Sequence, residues 1–145
     1  MKDEVVITVP SHPKYLSLVR AVTVMMGAQN KIDDTVIRQM EHAVDEACSN
    51  VIKHAYAGDQ NKQIGVTLRI SPEAFEVIIE DSGLKADVAS LKGRGLDEIK
   101  PGGLGVHLIK RACDVVEFDE KKEKGNRLRL VKYLKVKHGD KDHGP

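Results

Sequence analysis

Apolar positions along this chain follow two periods, and the switches between them mark out its elements. Val5 to Val9 is a short β-branched run halted by Pro10, the pattern of a strand. Ser11 can cap a helix with Pro13 in its first turn, and Leu16, Val19, Val22 and Met26 then keep helical spacing to about Gly27. Leu18, Val24 and Met25 widen that apolar surface; we read the surplus as core, with a partner surface as the alternative. Asp33 or Asp34 caps a second predicted helix, Thr35 to about Ala57, closed by Gly58. Its expected buried stripe is Val36, Met40, Ala43, Val44, Ala47 and Val51.

The period then changes. Gln63 to Ile70 and Ala74 to Glu80 read as strands, and the short Ser71-Pro72-Glu73 link makes them an antiparallel hairpin. Asp81 to Gly103 keeps no period and holds Gly83, Gly93, Gly95, Pro101, Gly102 and Gly103, the composition of a lid or binding loop. Leu104 to Ala112 returns to helix. Val115 to Lys121 and Arg127 to Val136 form a second hairpin around Gly125-Asn126. The order β-α-α-β-β-lid-α-β-β predicts an α+β, two-layer sandwich: a mixed, mostly antiparallel sheet with helices on one face. Residues 1–137 are expected to form one domain, and His138 to Pro145 a polar, frayed tail.

Bulk numbers narrow the function. A chain of 145 residues with 41% apolar and 31% charged residues is long enough for one real core and too apolar for disorder. A net charge of +1 leaves no broad footprint for nucleic acid, and three Tyr, two Phe and no Trp leave few platforms for base stacking. Cys48 and Cys113 both fall within apolar helical patterns and read as reduced core thiols. No run suits a signal peptide or a membrane span, so a cytoplasmic location is expected.

The candidate chemistry lies on the second helix and in the glycine-rich stretch. Four helical residues advance ~6 Å and return to within ~40° of the same direction. His42, Glu46, Asn50 and His54 therefore form one polar line, either a solvated face or one wall of a cleft. Gly102, Gly103 and Gly105 leave room for backbone N–H groups to approach a phosphate, and the helix that follows adds free donors. The same glycines also suit a plain flexible turn. Neither a P-loop nor a dinucleotide fingerprint is present. Asp81, at the end of a strand, can accept from the exocyclic amine of adenine while Gly83 lets a base lie against backbone; Asp-Ser-Gly is also a common turn. A metal-hydrolase reading fares poorly, because His42 and His54 lie about 18 Å apart along a helix, too far to share one ion.

Taken in order, Glu46-x-x-x-Asn50-x-x-x-His54, Asp81-x-Gly83 and Gly102-Gly103-Leu104-Gly105 resemble the N, G1 and G2 boxes of the GHKL ATP-binding superfamily. Within it, EACSNVIKHAY, LDEIKPGGLGVHLIK and GNRLRLVKYL are most similar to the bacterial anti-sigma factor serine-protein kinases of partner-switching pathways, over roughly residues 5 to 136. The resemblance implies ATP and Mg²⁺ as cofactors, with Asn50 as the metal ligand and Asp81 on the adenine amine. It implies Glu46 as general base, His54 near the site, and Gly83, Gly102, Gly103, Leu104, Gly105 and Val106 shaping the pocket. Arg94, by our own reading, neutralises phosphate charge. Two departures stand out: Lys85 replaces the second glycine common in G1 boxes, and Asn126 follows Gly125 where threonine is frequent, leaving Asn126 as an adenine-side contact. The implied function is phosphorylation of a STAS-domain antagonist by a kinase that also sequesters a sigma factor. Homodimerisation is hinted at by the wide apolar first helix. A non-catalytic ATP-binding interaction module is the alternative, against which Glu46 counts, because binding alone requires no base.

Overall fold

The computed structural model describes residues 3–86 and 103–135, with the side chains of 103–107 left aside. Its elements are β1 (Asp3–Pro10), α1 (Leu16–Gln29), α2 (Asp34–Asn50), β2 (Gln63–Ile70), β3 (Ala74–Asp81), α3 (Gly103–Ala112), β4 (Val115–Phe118) and β5 (Asn126–Tyr133). The strands form one sheet in the order β1-β2-β3-β5-β4. The sheet was expected to be mixed and mostly antiparallel; among the described strands every pairing is antiparallel.

Register decides which side chains meet. Val5, Leu68, Val77, Leu130 and Val116 lie across one row, and Ile7, Val66, Ile79, Leu128 and Phe118 across the next. These rows face the helices: Leu68, Val77, Leu130, Val66 and Ile79 join Val19, Met40, Ala43, Val44, Ala47 and Ile109 in one core. α2 packs between α1 and α3, and Gly27 of α1 sits so close to Ile37 of α2 that a Cβ there would displace the Ile37 side chain. Ile37 and Cys48 belong to the buried stripe of α2 beside the expected residues, whereas Val36 is only partly buried. Burial pushes the Cys48 and Cys113 thiols up to about 12, so both stay protonated at neutral pH and behave as small apolar side chains.

The opposite face of the sheet carries a lateral chain of alternating charge. Glu4 accepts from Arg69, Arg69 and Arg129 both donate to Glu76, and Arg129 donates to Glu117 at 2.9 Å. Burial alone would raise the Glu76 carboxyl, but the two guanidinium groups outweigh it and hold Glu76 below its ordinary value. Exposed pairs of this kind contribute at most about 1 kcal/mol each, so the chain of charges sets register more than it sets stability.

Two expectations need correction. Ser11 does not cap a helix. It is buried, donates to the Asp59 carbonyl at 2.7 Å and accepts from the Lys62 N–H at 2.9 Å, tying the end of β1 to the approach of β2. His12 Nδ1 accepts from Lys14 N–H instead, and a single 3₁₀ turn, Pro13–Tyr15, precedes α1. The surplus apolar residues of α1 are not all core: Leu18 is 53% and Met25 60% exposed, one above the other on the outer side. The tail from residue 138 and most of the predicted lid lie outside the described residues.

Candidate functional site

Helix α2 ends at Asn50, and the chain continues through one π-helical turn, Val51–Ala55, in place of the regular helix expected to Ala57. Such widened turns recur at functional sites because they rotate side chains out of the regular helical track. Ala57 and Gly58 then both take positive φ, 50° and 85°, and turn the chain toward β2. The predicted polar line is graded in exposure: His42 and His54 are exposed, while Glu46 and Asn50 are half-buried. Neither Glu46 nor Asn50 has a hydrogen-bond or ion-pair partner among the described residues. At the neighbouring position, Asp45 is paired with Arg20 of α1 at 2.7 Å.

A cleft opens beside this turn. Its apolar walls come from Ala47, Val51 and Ala55 of α2 and the turn, Ile109 of α3, and Ile79, Val116, Phe118 and Leu128 of the sheet. Asn50, His54, Asp81, Lys85 and Asn126 are its polar members. Sequence reasoning named four of those five as site residues, and Lys85 only as a departure.

Asp81 ends β3 and is only 6% exposed. Its Oδ1 accepts from Gly83 N–H at 2.9 Å and from Asn126 Nδ2 at 3.0 Å; Oδ2 receives only the longer 3.2 Å branch of that Asn126 bond. One oxygen of a buried carboxylate thus keeps acceptor capacity on a cleft it lines, an arrangement suited to a ligand N–H. The site residues fit an adenine nucleotide in this sense: an apolar slot for a ring, one aimed acceptor at its end, and an unclaimed amide at Asn50.

Glycine is required at two positions here, for reasons of space. A Cβ on Gly83 would overlap the carbonyl of Ala55, because the adjacent Leu84 N–H donates to that same oxygen at 2.7 Å. Gly125 has φ +70°, and a Cβ there would overlap the Asp81 carbonyl. Lys85, where a second G1 glycine was missed, does not have positive φ, so glycine's conformational freedom is not needed there. Its Nζ donates to the Lys122 carbonyl.

Sequence reasoning overlooked Tyr56. Its hydroxyl donates to the Gln63 carbonyl at 2.5 Å and accepts from Ser82 N–H at 3.0 Å, joining the turn after α2 to β2 and to the end of β3. Nothing in the local pattern distinguishes it from an ordinary core aromatic. Gly103, Leu104, Gly105 and Val106 lie by backbone in the first turn of α3, where N–H groups lack intrahelical acceptors. Arg94 and Gly102 lie outside the described residues.

Comparison with known proteins gives a consistent result. The family model for the histidine kinase-like ATPase domain matches residues 9–132. The serine-protein kinase RsbW of Bacillus subtilis is 27% identical over 150 residues, covering 97% of this chain and 91% of that protein. RsbW of Listeria innocua is 29% identical over 147 residues, covering 94% of this chain and 91% of its own length. Among solved structures, the RsbU and RsbW domains of Rv1364c from Mycobacterium tuberculosis superpose with a TM-score of 0.66 at 18% identity, over 91% of this chain and 32% of that one. The SiaB–SiaC complex from Pseudomonas aeruginosa gives 0.67 at 14% identity, covering 88% of each chain. These two likenesses speak to the fold.

Proposed function

Since the chain belongs to the histidine kinase-like ATPase domain family, we propose that it is an ATP-dependent serine/threonine protein kinase acting in a partner switch. The observation that carries the reading is a buried, half-satisfied Asp81 carboxylate and Asn50 in one apolar cleft, with Glu46 one turn before Asn50 on α2 and neither Asn50 nor Glu46 partnered among the described residues. Relatives of nearly equal length that are named serine-protein kinases support the same reading.

In this reading Asp81 accepts from the adenine amine, and the walls from Ala47 to Leu128 keep water from the ring. Asn50 offers its amide oxygen to Mg²⁺, a hard ion that favours oxygen ligands. His54 stands at the same wall, and the first turn of α3, from Gly103 to Val106, offers its N–H groups to phosphate. When bound, Mg·ATP supplies the phosphoryl group and neutralises its charge. Glu46 takes the proton from an acceptor hydroxyl. A catalytic base is what a purely binding module would not need, and this favours the kinase over the alternative.

The acceptor we propose is a serine or threonine on a STAS-type antagonist, with a sigma factor as the sequestered target. We place this action in the cytoplasm; among the described residues no helix is long and apolar enough to cross a membrane. Leu18 and Met25, exposed on α1 with Ala21 between them, suit a second copy of the chain; light scattering should read a dimer that Leu18→Lys splits, and a monomeric wild type would end that part of the proposal. The kinase reading is tested by supplying the chain with Mg²⁺, γ-labelled ATP and a STAS-domain protein from the same cell. Label should pass to a hydroxyl of that protein; ATP binding without transfer to any such acceptor would return the chain to the binding-module alternative.

A further inference from the structure

Asn126 was expected as an adenine-side contact, and it lines the cleft, but both of its amide hydrogens are engaged within the protein. It is 7% exposed, at the first position of β5 and directly across from Asp81. Nδ2 donates to Asp81 Oδ1 at 3.0 Å and to the Leu84 carbonyl at 2.8 Å, which uses both amide hydrogens. Oδ1 accepts from the Ala86 N–H at 2.7 Å. One side chain therefore fixes the orientation of the Asp81 carboxylate and splints the backbone on both sides of Lys85.

We propose that Asn126 is a positioning residue for base selectivity, acting through Asp81 rather than on the ligand. The inference rests on the nucleotide reading of the cleft. With Oδ1 of Asp81 held by Gly83 and Asn126, Oδ2 is the atom left to receive a donor, and its direction is set by the amide on the other side. A base that presents an N–H at that point gains a charge-assisted hydrogen bond; a base that presents a carbonyl oxygen meets a buried anion. Selectivity should therefore depend on residue 126 through the orientation it gives Asp81, beyond any contact of its own with the ligand. A hydroxyl in its place cannot serve Asp81, Leu84 and Ala86 together, because it has one hydrogen where the amide has two.

The test compares ATP with inosine triphosphate, which carries a carbonyl in place of the amine, by calorimetry with Mg²⁺ on the full chain. In Asn126→Ala, affinity for ATP should fall by about tenfold or more, the cost of a lost buried polar contact. Affinity for inosine triphosphate should stay within about twofold, so the ratio narrows. Asn126→Thr, the gentler change, should narrow it by less. An equal loss for both nucleotides in both variants would mean a merely structural role and overturn the proposal, as would unchanged affinity for both. A wild-type chain that binds neither nucleotide overturns the nucleotide reading, and this proposal with it, a result distinct from the other two.

Discussion

Glu46→Gln should leave ATP binding intact while phosphoryl transfer falls by about 10²-fold or more. The substitution keeps size and helix propensity, so α2 and the Met40–Val44–Ala47 stripe beneath it are undisturbed. What disappears is the ability to accept a proton from the attacking hydroxyl, a contribution of about 10²–10⁴ in rate where general-base catalysis operates. The prediction is sharp because Glu46 has no ion-pair or hydrogen-bond partner among the described residues. A loss of rate would then not come from breaking a contact with any described residue. Single-turnover transfer from labelled ATP, with affinity measured in parallel, separates the two quantities. Normal transfer by the glutamine variant would remove Glu46 from the mechanism.

The second large effect is expected one turn further on. Asn50→Ala should weaken Mg²⁺-dependent ATP binding by about a hundredfold or more, since loss even of an outer-shell partner of a metal ligand costs about 10–100-fold. Adenosine, which has no phosphates, should bind the variant as it binds the wild type, because Asp81 and the apolar walls are untouched. Calorimetry with ATP, with ATP plus chelator, and with adenosine resolves the contribution of each end of the site. Equal Mg²⁺-dependent affinity in variant and wild type would refute the role given to Asn50. Asn50 closes α2 just before the π-helical turn, so truncation there is also a mild test of that junction; an unchanged melting temperature would show that the loss belongs to the site.

Most of the fold was legible because it is written in short-range patterns. The hairpin of β2 and β3 follows from alternation and a three-residue link, and its observed bounds differ from expectation by one residue. The helical face of α2 follows from spacing. Errors arose where a side chain's partner is distant in sequence. Ser11 looks like a cap, yet its partners are Asp59 and Lys62, some fifty residues on. Leu18 and Met25 look like core because the pattern records hydrophobicity and not what lies opposite. The site divides the same way. Asn50 and Asp81 were readable as motif positions, whereas the roles of Tyr56 and Asn126 depend on atoms about seven to forty-five residues away. No local window contains that information.

The linkages around Gly83 bear on how the cleft can open. Tyr56 holds Ser82, Ala55 holds Leu84, and Asn126 holds Asp81, Leu84 and Ala86, each anchor resting on an element of the core. Lifting the segment 82–86 away would break these bonds together and expose the floor formed by Ile79 and Leu128. Its amides should accordingly share the slow exchange of the central strands rather than fray as a surface loop does. The Asp81 end of the cleft is then part of the cooperative folding unit. On the proposed reading, a nucleotide would come and go past this segment without unfolding it.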